Sequence, residues 1–204
     1  MSTVAEVVTD NTGNYYDPSQ EKSYTRLAKG VYPAHIIKCE TVVRSIKNKY
    51  KACIYNYRIK VHTSADQNTY QIEDIDGTMK DVSGAEYIGR EIRSQGIFLF
   101  LTPGLGDDFE ANPGANRKFM ETAEALGVTC PDVEIELDGE TKTVKGLPEL
   151  NESDFLGKPV LANVDFGSPW KGKDGVERTS LEVKSINLWK DGAGIDVEAE
   201  ELPF

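Results

Sequence analysis

Apolar and polar side chains alternate along residues 50–62, YKACIYNYRIKVH, with the period of two that is typical of a half-buried β-strand. The β-forming stretch 30–44 precedes this segment, and the short polar stretch 45–49 separates the two. The pattern predicts a long β-hairpin. Its second strand divides into two faces: one carries Lys51, Cys53, Tyr55, Tyr57, Ile59 and Val61, and the other carries Tyr50, Ala52, Ile54, Asn56, Arg58 and Lys60.

One segment of the remaining chain has a helical pattern. Within residues 113–126, Ala115, Phe119, Ala123 and Leu126 recur at roughly helical spacing, and Gly127 follows as a helix-ending residue. The other predicted elements, in chain order, are an extended arm at 1–25, a polar and acidic excursion at 64–86, a β-region at 87–101, a loop at 102–114, a hairpin at 132–145 turning at Asp138-Gly139, one helical turn at 151–155, and strands at 158–166 and 176–189 joined by a glycine-rich loop.

The order is therefore strand, strand, strand, helix, strand, strand, with a hairpin inserted after the helix. This order matches the oligonucleotide-binding (OB) fold, a five-stranded Greek-key barrel with its helix between the third and fourth strands. Other small β-barrels with one helix fit the order nearly as well. We expect a mainly β protein with a flexible arm at 1–25, a folded domain at 26–190 and an acidic tail at 191–204.

Composition limits the class of protein. Hydrophobic residues make up 39% of the chain, enough for a core, and the longest strongly apolar run, residues 97–101, is far too short to span a membrane. The N-terminus has no basic and apolar pattern of a secretory signal. The odd number of cysteines (Cys39, Cys53 and Cys130), without CxxC spacing, predicts reduced thiols in a cytoplasmic protein.

The charge is unevenly distributed. The net charge is −11, but the two termini carry acids and no bases, which leaves 26 acids and 23 bases in residues 21–190. Residues 41–65 contain six cations and no acid, whereas residues 66–86 contain six acids and only Lys80 as a base. A basic patch on an otherwise acidic chain is typical of a nucleic-acid-binding protein with an acidic tail, although a chance cluster on a solvated hairpin gives the same pattern.

Binding of single strands requires cations that follow the phosphates and flat side chains on which bases stack. Tyr55 and Tyr57 lie on the opposite face of their strand from Arg58 and Lys60. Their apolar neighbours favour a core position for the tyrosines, unless a bend in the strand returns Tyr57 to the surface. Trp170, in a basic glycine-rich loop, is a further stacking candidate, or else it folds back over the end of the barrel. The candidate DNA-contacting residues are Arg44, Lys47, Lys49, Tyr50, Asn56, Tyr57, Arg58, Lys60, Arg90, Arg93, Trp170, Lys171 and Lys173.

The last nine residues, DVEAEELPF, combine acids with a terminal Leu-Pro-Phe. The ring can fill an apolar pocket of a partner while the acids steer the encounter. This tip resembles the C-terminal tail of bacterial and phage single-stranded DNA-binding proteins. The body also looks like the phage-encoded members, in the GVYPAHI strand, the basic hairpin, the ANRKFMETAEALGV helix and the LGKPVLANVDF strand.

The resemblance implies a protein that coats single-stranded DNA during replication, recombination and repair, in the host cytoplasm if it is phage-encoded. It further implies that the tip recruits replication or recombination proteins and involves no cofactor; homo-oligomerisation is left open. The tail residues expected to bind partners are Glu200, Glu201, Leu202, Pro203 and Phe204. From the charge pattern, we also expect the acidic tail to occupy the basic groove when DNA is absent.

Two other functions compete with this interpretation. A protein–protein adaptor or recombination mediator would use the same tail without binding DNA, but it has no need for a segregated basic hairpin. A metal-dependent nuclease would use the acidic cluster at 107–110, DDFE, although its spacing fits no defined metal loop. His35 and His62 lack zinc-site spacing and no catalytic motif is present, so the sequence favours a non-enzymatic protein.

Overall fold

The computed structural model describes residues 25–46, 50–74, 76–104, 109–137 and 139–197. Within them the chain is mainly β with one α-helix, as expected from the sequence. The strands are β1 (Gly30–Ile46), β2 (Tyr50–Val61), β3 (Thr69–Glu73), β4 (Met79–Ser83), β5 (Glu91–Arg93), β6 (Ile97–Pro103), β7 (Phe109–Ala111), β8 (Asp132–Leu137), β9 (Glu140–Lys145), β10 (Pro159–Phe166), β11 (Trp170–Lys171), β12 (Glu177–Arg178) and β13 (Leu181–Leu188), and the helix is α1 (Arg117–Ala125).

One antiparallel sheet organises the body, in the order β13-β10-β1-β2-β6-β7, with β5 also paired to β2. The strands do not close into a barrel. One parallel bridge joins Ser94, just after β5, to Val183 on β13, and the Gln95 amide donates a 3.1 Å hydrogen bond to the Val183 carbonyl. The two halves of the sheet therefore meet at a seam between β5 and β13.

The alternation along β2 is confirmed in its central part. Tyr55, Tyr57 and Ile59 are at most 4% exposed, whereas Asn56 and Arg58 face solvent. The two tyrosine rings pack on Phe155, at centroid distances of 5.5 and 5.8 Å. Burial of this aromatic group removes apolar surface from water and drives formation of the core.

A second aromatic cluster holds the β3–β4 hairpin on the body. Tyr32 on β1 stacks on Tyr70 of β3 at 4.2 Å, and Tyr87 meets both rings edge-on. The Tyr70 hydroxyl donates a 2.9 Å hydrogen bond to the Val31 carbonyl. The polar and acidic excursion predicted at 64–86 thus contains a regular hairpin that the sequence did not predict, in which Tyr70 and Val82 bury the inner side.

Other boundaries also differ from the predictions. The β-region 87–101 is divided into β5 and β6 by a bend at Gly96, whose φ of +90° favours glycine. The helix is shorter than predicted, because a 3₁₀ turn at Pro113–Ala115 precedes it. Short strands also form in two segments predicted as loops, β7 before the helix and β11 before the last strand.

Helix α1 is positioned by one asparagine. The buried Asn116 side chain accepts a 2.7 Å hydrogen bond from the Phe100 amide and donates a 3.0 Å hydrogen bond to the Phe100 carbonyl. This two-bond clamp lies next to the pairing of β6 with β7, which covers residues 101–103 of β6. It holds α1 against the end of the sheet, where the helix also packs on β13.

The segment after β13 turns back over the body. The Ile195 amide donates a 3.0 Å hydrogen bond to the Gly157 carbonyl, and His35 Nε2 lies 2.7 Å from the Ala193 carbonyl. The sequence analysis begins the tail at residue 191, and these hydrogen bonds hold its described residues Ala193 and Ile195 against the body.

Candidate nucleic-acid interface

We define the outer face as the solvent side of β1, β2, β5 and β6. Its centre is a row of three cations in strand register: Lys38 on β1 lies opposite Arg58 on β2, and Arg58 lies opposite Arg93 on β5. Side chains at paired positions of neighbouring strands project to the same side. Arg58 and Arg93 were predicted as contact residues, but Lys38 was not. Lys38 comes to lie beside Arg58 through the register of β1 on β2, which the sequence does not reveal.

The cation row lies in an open groove of about 410 Å³. The groove is lined by side chains or main chain of Lys38, Glu40, Asn56, Tyr57, Arg58, Arg93, Ser94, Gln95 and Glu182. Asn56 lies opposite Glu40 in the strand register and offers an amide for hydrogen bonding. The groove is therefore polar and open, and its lining residues come from four strands, an arrangement that can accommodate an extended chain.

Each cation of the row has an acidic partner from a neighbouring position. Lys38 pairs with Glu40 at 2.6 Å, Arg58 with Glu91 at 3.5 Å and Arg93 with Glu182 at 3.1 Å. The hydrogen bond from Lys38 lowers the pKa of Glu40. Residues 41–65 contain no acid, but the fold brings Glu91 of β5 beside Arg58 of this segment. The Lys38–Glu40 and Arg58–Glu91 pairs are exposed and therefore weak, so phosphates can compete for these two cations, whereas the Glu182 side chain is only 14% exposed.

Two aromatic rings extend the outer face beyond the cations, and the sequence analysis missed them. Phe98 and Phe100 on β6 are stacked at 5.7 Å with an interplanar angle of 15°, and both are half-buried. They lie opposite Ile54 and Ala52 of β2, on the same side as Asn56 and Arg58. The run IFLFL was identified only as the longest apolar run, within a predicted β-region, and its i, i+2 spacing was a signal that the two phenylalanines share one side.

The hairpin β11–β12 adjoins one edge of the groove. Gln95 in the groove donates a hydrogen bond of 3.5 Å to Ser168, at the base of the hairpin. Trp170 is 49% exposed, and the Arg178 guanidinium lies 5.7 Å from its ring centroid, so the tryptophan does not fold back over the body. Lys171 and Lys173 are exposed on the same hairpin.

Two predicted contact residues have structural roles instead. Tyr57 is 2% exposed, and burial raises the pKa of its phenol well above the usual range, with Cys39 adding to the shift. Arg90 donates a hydrogen bond to the Thr25 carbonyl and lies over the Tyr87 ring at 5.1 Å. Tyr57 therefore cannot stack on a base, and Arg90 holds the chain before β1 rather than lining the groove; both predictions are corrected.

The other predicted residues are distributed around the outer face. Lys60 is half-buried and lies opposite Glu91, on the far side of Arg58 from Asn56. Arg44 is exposed and Tyr50 is half-buried, both towards the free end of the β1–β2 hairpin. Lys47 and Lys49 lie outside the described residues, as do the tail residues Glu200, Glu201, Leu202, Pro203 and Phe204.

The described residues contain no group of three or more histidine, cysteine or acidic side chains placed to hold a metal ion. Asp107 and Asp108 of the acidic cluster fall outside them. All three cysteines are free, and burial, reinforced by Glu152, raises the pKa of the Cys39 thiol to about 12. Among the described segments, no helix has the length and apolar character needed to cross a membrane.

In comparisons with known proteins, the chain matches no protein-family model, no curated protein and no solved structure.

Proposed function

We propose that this protein binds single-stranded DNA along the outer face, with little sequence preference, and protects it during replication, recombination and repair. The observation that carries the proposal is the continuity of cations and aromatics on one side of the sheet. Lys38, Arg58 and Arg93 offer charge to phosphates, and Phe98 and Phe100 offer a stacked pair of rings beside them. Cation tracks and stacking surfaces are the two requirements for binding single strands.

The scaffold we propose is an OB-like barrel that is incompletely closed. The strand pairings support this scaffold. Strand β1 pairs with both β2 and β10, β10 pairs with β13, and β5 and β6 both pair with β2. The parallel bridge between Ser94 and Val183 supplies the contact between third and fifth strands that such a barrel needs. The helix lies between the third and fourth of these strands in the chain.

We further propose that the acidic tip, residues 200–204, recruits replication or recombination proteins. Its starting point supports a role beside the groove. His35 lies opposite Lys60 in the strand register, on the outer side of β1, and the segment that covers His35 at Ala193 leads into the tail. We expect the acids of the tail to compete with DNA for the cations of the outer face at low salt.

The decisive experiment is fluorescence anisotropy of a labelled oligothymidine of about thirty bases, longer than the site of one OB domain, compared with a duplex at two salt concentrations. We expect tight binding of the single strand alone. If about six phosphates are neutralised, the log–log salt slope should be about −4.

The double variant Arg58→Ala/Arg93→Ala should reduce the magnitude of this slope by about 1.4, since each phosphate contact on a single strand contributes about 0.7. The matched control is Lys80→Ala/Lys142→Ala, because both lysines lie on hairpins away from the outer face. Absence of binding by the wild-type chain, even after removal of residues 198–204, would contradict the proposal and leave an adaptor that acts through its tail.

A further inference from the structure

A second cleft, of about 500 Å³, lies where β6 and β13 separate. We call it the helix cleft, because α1 forms one of its walls. Lys118, Glu121 and Thr122 line it from the helix, Lys184 and Asn187 from β13, and Ile97 from the start of β6. It is as large as the groove on the outer face, and neither the charge pattern nor the fold prediction identified it.

The helix cleft is positively charged on balance. Lys118 and Lys184 line it, while its one acid, Glu121, pairs with Arg117 at 2.8 Å. The first turn of α1 thus carries Arg117 and Lys118 and no acid. The i,i+4 pair with Glu121 gives Arg117 a role in the helix, but Lys118 lies in the first turn, where the helix dipole disfavours a cation. An anion bound in the cleft would offset that unfavourable interaction.

The helix cleft is continuous with the groove on the outer face. Gln95 lines the groove, and its side-chain oxygen accepts a 2.9 Å hydrogen bond from Lys184, which lines the cleft. Gly96 follows Gln95 with a φ of +90°, and a Cβ there would lie only 3.0 Å from Asn56 Oδ1 and from an Ile54 methyl group. Gly96 therefore adds no side chain to the surface where the Gln95–Lys184 hydrogen bond joins the two sites.

We propose that the helix cleft is a second phosphate-binding subsite, which takes the backbone of a single strand after it leaves the groove and crosses the seam between β5 and β13. The inference rests on the proposed function, since it extends the path of the same ligand. In this path Lys184 bonds a phosphate in place of Gln95, and Lys118 meets the next part of the backbone. The subsite recognises the phosphodiester chain and not the bases.

The test is a length series of labelled oligothymidines, from about four to about thirty bases, because OB domains occupy about 4–16 nucleotides. The double variant Lys118→Ala/Lys184→Ala should bind the shortest oligomers like the wild type. On long oligomers it should lose affinity, and the magnitude of the salt slope should fall by about 1.4 for two lost contacts. Lys80→Ala/Lys142→Ala is again the matched control, and thermal unfolding of each variant checks the fold.

A single reversal, Lys118→Glu, separates the cleft from the groove, because Lys118 has no bond to Gln95. Lys118→Glu should weaken the binding of long oligomers but not of short ones, and the loss of affinity should exceed that of Lys118→Ala. Unchanged affinity for long oligomers in both variants, or equal weakening at every length, would overturn the inference. Failure of the wild type to bind any oligomer would instead contradict the proposed function.

Discussion

In the central part of β2, the two faces differ in burial and in polarity. The inner face carries Tyr55, Tyr57 and Ile59, which are closely packed and at most 4% exposed. The outer face carries Asn56 and Arg58 in an open groove. Tyrosine and arginine are neighbours in the sequence but lie on opposite sides of the sheet, because successive side chains of a strand alternate. Apart from Tyr50 at the start of β2, the aromatic rings of the outer face therefore come from a different strand, β6.

The largest expected effect comes from disrupting the inner face. Tyr57→Ala removes a buried ring that packs on Phe155, and we expect it to lower the free energy of unfolding by about 3–5 kcal/mol. Urea unfolding measures this loss. Arg58→Ala, one position away on the outer face, should change the free energy of unfolding by less than about 0.5 kcal/mol. Comparable losses in the two variants would contradict the division of β2 into a structural and a binding face.

Tyr57→Phe sharpens the same comparison. The Tyr57 hydroxyl is buried without a hydrogen-bond partner among the described residues. Removal of an unsatisfied buried hydroxyl relieves a desolvation cost of about 1–3 kcal/mol, part of which the folded protein should regain. We therefore expect the variant to be at least as stable as the wild type and to bind DNA equally well. A marked loss of stability would show that the hydroxyl has a partner outside the described residues.

The next effect concerns the aromatic rings of the outer face. Phe98→Leu keeps an apolar side chain against Ile54 but removes a ring on which a base can stack, so we expect a loss of about 1–3 kcal/mol in binding of single-stranded DNA. Anisotropy titrations at constant salt measure the loss. Phe166→Leu is the control, because Phe166 is 43% exposed on β10, outside the outer face. Equal affinities for the two variants would rule out stacking on Phe98.

A smaller effect of opposite sign is expected from the acids that pair with the cation row. Glu91→Gln removes the carboxylate that pairs with Arg58 and repels phosphate, so DNA affinity should increase by about 1 kcal/mol or less. Titrations at low salt should show the increase, and it should shrink at high salt because exposed charges are screened. Glu140→Gln, on the β8–β9 hairpin, should leave affinity unchanged. A weaker-binding Glu91→Gln would mean that the acid is needed to hold Arg58 in place.

The smallest effect is a pH dependence at the edge of the outer face. His62 lies 5.1 Å from Trp189 and 5.2 Å from His35 between ring centroids, and burial, with His35 as a second cause, lowers its pKa below 6.5. The unfolded chain then binds the proton more readily than the folded one. The stability from this site is therefore present above about pH 6.5 and is lost as the pH falls towards the lowered pKa.

Urea unfolding at pH 7 and pH 5 tests this dependence. His62→Gln should make the free energy of unfolding less sensitive to pH between these values than it is in the wild type, because the variant lacks the proton-binding imidazole. An identical slope in the two proteins would assign the pH dependence to other groups.

Local pattern was sufficient for much of the fold. The alternation of residues 50–62 predicted β2, the Asp138-Gly139 turn predicted the β8–β9 hairpin, and helical spacing located α1. It was insufficient for the β3–β4 hairpin, where Tyr70 and Val82 are the only fully buried apolar side chains of two short strands. Their burial depends on Tyr32 and Tyr87, which are distant in sequence, so no local period revealed it.

The sequence by itself determined which residues of β2 share a face, because that follows from the period of two along one strand. Only the tertiary structure decided what lies beside them. Strand register placed Lys38 and Arg93 on either side of Arg58, paired this row with Glu91 and Glu182, and put the Phe98–Phe100 rings on the same side. Register depends on contacts between segments far apart in the chain. The composition of one segment therefore could not reveal the charge or the aromatic surface of the groove.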